Sequence, residues 1–163
     1  MHISSRCRYG LRAMLYLALR GDGRPVPLSE IAVAEAIPAP FLERIVAGLR
    51  SAGLVSATRG AAGGYRLSRP PAQITAADVV TALDGSPALA ACVHDDEACG
   101  RSGSCLSRRV WTRLDEAIVG ALAGLTLQDL VAEHTSAVQE REGAPTVATS
   151  TCVRSVAKET RMA

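Results

Sequence analysis

Residues 28–50 have the sequence Leu28-Ser-Glu-Ile-Ala-Val-Ala-Glu-Ala-Ile-Pro-Ala-Pro-Phe-Leu-Glu-Arg-Ile-Val-Ala-Gly-Leu-Arg50. On both sides of Ile37-Pro38-Ala39-Pro40 the apolar residues recur at spacings of three and four, which is the period of one helix face. Proline is favoured in the first turn of a helix, so a new helix is expected to begin near Pro40. The sequence therefore predicts two helices joined by a tight turn.

The second of these helices has an apolar and a polar face. Its apolar face consists of Phe41, Leu42, Ile45, Val46 and Leu49. Its polar face consists of Glu43, Arg44, Ala47, Arg50 and Ser51. In a helix-turn-helix protein the second helix lies in the major groove with its N-terminal residues against the bases. We therefore expect Pro40, Glu43, Arg44 and Arg50 to contact DNA.

The flanking segments complete a winged helix-turn-helix. Apolar periodicity predicts a helix over residues 5–19, and exposed Arg6 and Arg8 on it are expected to contact DNA phosphates. Residues 54–58 and 65–68 have strand character around a glycine-rich turn. Arg59 begins that turn and could enter a minor groove, or simply be solvated. A plain helical hairpin with an added ribbon is the alternative fold.

The second half of the chain is predicted to be helical as well. Thr75 can cap a helix that contains Val79, Val80 and Leu83. Ser4 or Ser5 can likewise cap the helix over residues 5–19, and Thr126 a last helix that begins at residue 127. Residues 106–125 predict a helix about 30 Å long. Its apolar stripe exceeds what one small winged domain can cover, so pairing with a second copy is expected. The alternative is a core helix packed on its own domain. The stripe consists of Val110, Trp111, Leu114, Ile118, Ala121, Leu122 and Leu125.

Charge is divided unevenly along the chain. Residues 1–70 contain ten arginines and four acids, a net charge of +6; the remainder contains eight basic and twelve acidic residues, a net charge of −4, which together give +2. A cationic first half suggests that this part alone faces a polyanion. No apolar run reaches the roughly eighteen residues of a membrane span, and the N-terminus lacks a secretory signal. A cytoplasmic protein without a membrane partner is expected.

Three of the five cysteines lie in one segment of fourteen residues, at Cys92, Cys99 and Cys105. In a reducing cytosol such a cluster favours metal or redox chemistry over structural disulfides. Structural zinc sites use closer cysteine pairs than these gaps of six and five residues. The spacing favours an iron-sulfur cluster, with zinc, free thiols and a thiol switch as alternatives.

Several motifs occur in order along the chain. They are Ile3-Ser-Ser-Arg-Cys-Arg-Tyr-Gly-Leu-Arg-Ala-Met14, Phe41-Leu-Glu-Arg-Ile45, Gly53-Leu-Val-Ser-Ala-Thr-Arg-Gly60 with Gly63-Gly-Tyr65, and the three cysteines. Over about residues 1–135 they resemble the IscR/NsrR-type family of iron-sulfur winged-helix regulators. The resemblance implies a homodimeric transcription factor, with repression as the expected mode, on a palindromic operator in double-stranded DNA. The signal would be cluster supply, iron, nitric oxide or redox state.

The family's site residues can be carried over by position. Cys92, Cys99 and Cys105 match its cluster cysteines, and 4Fe-4S is preferred over 2Fe-2S. Glu43, Arg44 and Arg59 match its DNA-reading positions. Two family ligands are replaced, since Arg108 stands where cluster-biogenesis regulators have histidine and Arg8 where nitric-oxide sensors have aspartate. The fourth ligand is therefore open. Cys7 and His94 are weak candidates, since Cys7 could equally be a packed core thiol and His94 could lie on a solvated face. A solvent, thiol or carboxylate ligand at the last iron is the alternative.

The expected architecture is mainly α (α+β). A winged helix-turn-helix domain occupies residues 1–70, a cluster-binding loop (92–105) and dimerisation helices occupy 71–135, and a disordered tail follows over 136–163. No enzyme activity is expected, because no Cys-x-x-Cys pair lies near a strand-helix unit; a thiol oxidoreductase is a remote alternative. A zinc-stapled or thiol-switch regulator without a cluster is the nearer one.

Overall fold

The computed structural model describes residues 3–20, 22–60, 63–85 and 89–143. These residues form seven α-helices and one two-stranded sheet, so the predicted, mainly helical class with a small β-hairpin is confirmed. The elements are α1 (Ser5–Arg20), α2 (Leu28–Ala34), α3 (Ala39–Ser51), β1 (Val55–Thr58), β2 (Gly64–Leu67), α4 (Ala76–Asp84), α5 (Ala91–His94), α6 (Arg108–Ala123) and α7 (Leu127–Gly143). Single 3-10 turns occur at Pro71–Gln73 and Asp96–Ala98.

Helix α1 is the centre of the packing. Its N-terminus is capped as the sequence allowed, because the Ser4 hydroxyl accepts a hydrogen bond from the Cys7 backbone N–H at 3.0 Å. Gly10 faces the other helices, and a Cβ there would lie 2.1 Å from Leu83 Cδ1 and 3.3 Å from Ile45 Cγ2. The absent side chain thus lets α1 approach α3 and α4 closely.

The turn between α2 and α3 has the geometry that the prolines predicted. The chain leaves α2 through Ala36, whose φ of 49° lies in the left-handed region typical of helix ends. The Ile37 N–H then donates to the Ala32 carbonyl at 2.9 Å, and the Ile37 side chain is buried. Pro38 is the N-cap residue of α3. These contacts fix the direction in which α3 leaves the turn.

The wing is an antiparallel hairpin with an additional anchor. Strand β1 pairs with β2 in the register Val55↔Leu67 to Thr58↔Gly64. Val26 adds a single bridge to Tyr65, with both backbone N–H···O distances at 2.8 Å. The base of the wing is therefore held by the segment that precedes α2.

Gly64 is needed where this anchor meets the wing. A Cβ at Gly64 would lie 2.4 Å from both the carbonyl carbon and the oxygen of Val26. We expect Gly64→Ala to lower the free energy of unfolding by about 1–3 kcal/mol, because backbone must move to admit the methyl group. Urea denaturation measures this. The control is Gly120→Ala on α6, where a Cβ meets nothing within 4 Å; equal stability of the two variants would contradict this description of the wing.

One hydrophobic core joins both halves of the chain. Its buried residues from the first half include Met14, Ile31, Leu42, Ile45 and Leu49. Those from the second half are Ile74, Val79, Val80, Leu83 and Leu127. Helix α4 begins at a capping box, in which the Thr75 hydroxyl accepts from Asp78 N–H at 3.1 Å and the Asp78 carboxylate accepts from Thr75 N–H at 2.9 Å. The domain boundary after Pro70 stays a prediction.

The last helix is longer than expected. The predicted cap at Thr126 is confirmed, since its hydroxyl accepts from Asp129 N–H at 3.1 Å, and the hydrogen bond with the Thr126 side chain lowers the pKa of Asp129. Residues 136–143, expected in a disordered tail, form the last turns of α7, because no glycine or proline interrupts the sequence before Gly143. Residues 144–163, with Cys152, lie outside the described residues. Among the described helices, none has the length and hydrophobicity required to span a membrane.

Candidate functional site

Helix α3 presents its polar face to solvent. Leu42, Ile45, Val46 and Leu49 are buried, which fixes the rotation of the helix. The opposite face leaves exposed Pro40, Glu43, Arg44, Ala47 and Arg50. Among the described residues, neither Glu43 nor Arg44 has an ion-pair partner. Both side chains are therefore available to a ligand that approaches this face.

The wing lies next to the end of α3. Arg59 is exposed directly after β1. A groove of about 540 Å³ is lined by Arg50 of α3, Arg59 and Tyr65 among others. The structure thus brings together two arginines that are nine residues apart in sequence and that were both expected to contact DNA. A groove with two guanidinium groups suits a phosphate backbone.

Not every arginine of the cationic half is free. Arg6, Arg8, Arg44 and Arg59 are exposed, and Arg8 donates to the Ser5 hydroxyl at 3.1 Å. Four others are paired with nearby acids: Arg12 with Glu35, Arg20 with Glu30, Arg24 with Asp22 and Arg69 with Asp78. Counting charges in the sequence could not separate the two groups, because the partner of Arg20 lies on α2 and that of Arg12 directly after it.

The three clustered cysteines lie in the segment between α4 and α6. Cys92 belongs to the single turn of α5, Cys99 follows the 3-10 turn, and Cys105 precedes α6. All three are free thiols; Cys99 is exposed and the other two are half-buried. Among the described residues, no three Cys, His, Asp or Glu side chains converge on one point as a metal site requires. The segment contains three thiol donors, but their side chains do not converge on one point as the ligands of a metal site do.

The thiols have different electrostatic environments. A contact of 3.1 Å between Cys105 Sγ and the Ser107 hydroxyl lowers the pKa of Cys105. Burial instead raises the pKa of Cys7, which is 2% exposed among the core residues of α1. A thiolate is the form that binds metals and attacks disulfides. The loop thiol is therefore better suited to such chemistry than the core thiol.

Arg108 ties the cysteine loop to α6. Its guanidinium forms an ion pair with Asp96, and its Nη1 lies 3.4 Å from the Ser102 carbonyl oxygen. Arginine has no lone pair for a metal. The position that carries a histidine ligand in cluster-biogenesis regulators is here occupied by a structural contact.

A second contact between the loop and α6 involves a residue that sequence reasoning missed. His94 Nε2 lies 3.1 Å from Oδ2 of Asp115, which is 5% exposed. The other carboxylate oxygen, Oδ1, is buried and has no hydrogen-bond partner in the described part of the chain. The available signal was an acid at the edge of the predicted apolar stripe, four residues after Trp111 and seven before Leu122.

Helix α6 turns Ile118 and Leu122 of its predicted apolar stripe inward together with polar residues, and leaves the rest of that stripe exposed. Arg108, Thr112 and Asp115 lie on the inner side, where they are half-buried or buried. The exposed large apolar residues at this helix, which we call the α6 stripe, are Leu106, Val110, Trp111, Leu114 and Leu125. Val119 is exposed too, on another side. The stripe is an exposed apolar surface of the kind that marks a protein interface.

Comparison with known proteins shows which family the sequence resembles. The Rrf2 family model, described as an iron-dependent transcriptional regulator, matches residues 3–133. Protein rrf2 of Nitratidesulfovibrio vulgaris is 36% identical over 131 residues, which are 80% of this chain and 87% of that protein. The HTH-type transcriptional regulator IscR of Aliivibrio salmonicida is 37% identical over 134 residues, which are 82% of this chain and 79% of that protein.

Solved structures with the same fold include two regulators. CymR, the global cysteine regulator of B. subtilis, has a TM-score of 0.68 at 36% identity and covers 82% of this chain and 98% of its own. The IscR of T. potens has a TM-score of 0.69 at 32% identity and covers 84% of this chain and 90% of its own. The predicted resemblance, the winged-helix fold and the expectation that the chain is not an enzyme are all confirmed. The chain belongs to the Rrf2 family of DNA-binding transcriptional regulators.

Proposed function

We propose that the chain acts as a homodimer in the cytoplasm and represses transcription from a palindromic operator, with an affinity set by an iron-sulfur cluster on Cys92, Cys99 and Cys105. One observation carries this proposal. The segment with three free thiols is tied by His94 and Arg108 to α6, and α6 exposes an apolar stripe. A change at the cysteines thus reaches the helix on which two copies would meet.

The donors present suit an iron-sulfur cluster. Thiolates are the ligands of such clusters, and three of them occur in one segment. Gly100 and Gly103 lie between them, and a Cβ at either would meet nothing within 4 Å, so the loop has room to close. When bound, a cluster supplies iron–sulfur bonds that respond to iron supply, oxidants or nitric oxide. We prefer 4Fe-4S to 2Fe-2S, because three cysteines leave one iron of four with a labile ligand.

The mechanism follows from the two contacts between the loop and α6. Bringing the three thiols together must move the loop residues that contact α6. These are Asp96 and Ser102, which contact Arg108, and His94, which contacts Asp115. The start of α6 would move with them. In a dimer built on α6, this shift changes the spacing of the two α3 helices, which must match half-sites about one DNA turn apart. A coupling free energy of about 1–3 kcal/mol is enough for a useful switch.

Exposure on α3 and α1 predicts two kinds of DNA contact. We expect Arg44→Ala to change base preference at one operator position by about 1–3 kcal/mol, as loss of a base-edge contact does. Arg6→Ala should weaken binding evenly across sequences and reduce the salt slope by about one, as loss of a phosphate contact does. Fluorescence anisotropy on single-base operator variants at several salt concentrations separates the two effects.

The control for both is Arg113→Ala, which removes an exposed arginine from α6, away from the helix-turn-helix. It should leave base preference and salt slope unchanged. The corresponding variants of Glu43, Arg59 and Arg8 extend the test to the other expected contacts. If Arg44 and Arg6 variants behave alike, α3 is not the helix that reads the bases.

Metal analysis of anaerobically purified protein tests the sensor itself. Iron with acid-labile sulfide supports the proposal, and zinc would identify a zinc-stapled regulator. Protein with neither would support a thiol switch, the second candidate, which the lowered pKa of Cys105 favours. An absorption spectrum before and after nitric oxide or oxygen would identify the signal.

A further inference from the structure

The three cysteines leave one coordination position of the proposed cluster without a protein donor. We propose that His94 fills it, and that Asp115 is the positioning residue that orients the His94 ring. The inference rests on the proposed function and adds the fourth ligand to it.

The contact between the two side chains has the geometry that this role requires. His94 Nε2 lies 3.1 Å from Asp115 Oδ2, which leaves the other ring nitrogen, Nδ1, for a metal bond. Metal-bound histidines almost always donate their second ring N–H to a carboxylate, carbonyl or water, which fixes the tautomer and ring orientation. The His94 side chain is 45% exposed, so its ring is not enclosed by the core, whereas Asp115 is buried.

Burial of Asp115 makes its contact with His94 important for the carboxylate. Asp115 is 5% exposed, and its Oδ1 has no hydrogen-bond partner in the described residues. Burial of a carboxylate is unfavourable unless strong donors compensate it. Coordination of iron at Nδ1 withdraws electrons from the ring and makes the Nε2–H a stronger donor. A metal-bound His94 would therefore strengthen the hydrogen bond that Asp115 Oδ2 accepts, while Oδ1 would still lack a donor among the described residues.

The other candidate donors are placed less well. Cys7 lies in the hydrophobic core at 2% exposure, and Arg108 cannot ligate a metal. His94 is the one histidine in the sequence between residues 85 and 126. It therefore supplies the nearest imidazole to all three loop cysteines along the chain.

The spacing of Cys92 and His94 can be accommodated. In the single turn of α5 the two side chains point to different sides, because residues two apart do not share a helix face. A four-residue helix has little stability of its own. In extended backbone, residues two apart lie on the same side. Closure of the loop around a cluster would therefore unwind α5 and bring both donors to one side.

Nitrogen hyperfine spectroscopy tests the assignment directly. The protein is purified anaerobically, reduced, and compared with protein labelled with ¹⁵N-histidine. We expect a strongly coupled nitrogen in the native protein whose signal changes with the label. His94→Cys should keep the iron and sulfide content but lose this nitrogen. The matched control, His134→Ala on α7, should retain it. Asp115→Asn should retain the nitrogen and raise the reduction potential, because the ring loses its anionic partner.

The outcomes separate this inference from the proposed function. A native protein that contains iron and sulfide but no strongly coupled nitrogen overturns the assignment of His94 alone. Persistence of the nitrogen in His94→Cys does the same. An unchanged potential in Asp115→Asn removes the positioning role of Asp115. A native protein without iron or sulfide overturns both the inference and cluster control.

Discussion

Replacing Cys99 with alanine is expected to abolish the visible absorbance of the anaerobically purified protein and to change its operator affinity by about 5- to 150-fold. Cys99 is the most exposed of the three loop thiols and lies midway between the other two. Its loss leaves only two thiolates in the loop, whereas iron-sulfur clusters are held mainly by cysteine thiolates, usually four. The loop would then stay open and α6 would keep one position.

Absorption spectra and operator titrations of the same anaerobic samples measure both effects. Ser104→Ala is the matched control, since it changes an exposed polar residue of the same loop that is not a ligand. It should keep colour and affinity. A colourless Cys99→Ala protein that binds the operator like the native one would exclude control of DNA binding by a cluster.

Introducing a charge into the α6 stripe should have the second large effect. We expect Leu114→Glu to convert the dimer to a monomer and to reduce affinity for the full palindrome by a factor of about 10²–10⁴. Leu114 is 45% exposed, beside Val110 at 53% and Trp111 at 42%. In a symmetric interface the two new carboxylates would be buried near each other, which is strongly unfavourable. In a monomer both would be solvated.

Light scattering and binding to full and half operators measure the change. The control is Ala123→Glu, which places the same side chain on the exposed surface about 180° round the helix from Leu114. It should remain dimeric. Circular dichroism must show unchanged helix content in both variants. A dimeric Leu114→Glu protein with native affinity would mean that the copies meet elsewhere, or not at all.

Local sequence signals predicted the secondary structure well. The helices around the Pro38 turn, the wing strands and the caps at Ser4, Thr75 and Thr126 all occur as expected. These features depend on neighbours within about four residues, so a single sequence contains the information. Helix α7 continues to Gly143, beyond its predicted end, because no helix-breaking residue interrupts it even though its apolar period is weak.

Pairing of charges depended on elements that are distant in sequence. Which arginines of the cationic half remain free was decided by contacts such as Arg12 with Glu35 and Arg20 with Glu30, between α1 and α2 or the residue directly after α2. The burial of Cys7 likewise follows from the packing of α1 against α3 and α4. Net charge and residue type predict neither which arginines are paired nor that Cys7 is buried.

The sequence by itself determined that the chain is a winged-helix protein with an exposed reading helix, a long amphipathic helix and three thiols in one loop. Only the tertiary structure decided that α6 turns Ile118 and Leu122 inward beside Asp115, that Arg108 forms an ion pair with Asp96, and that Asp115 is buried against His94. The reason is physical. Periodicity fixes which residues share a helix face, whereas the packing of helices distant in sequence fixes which face is inside and which side chains meet there.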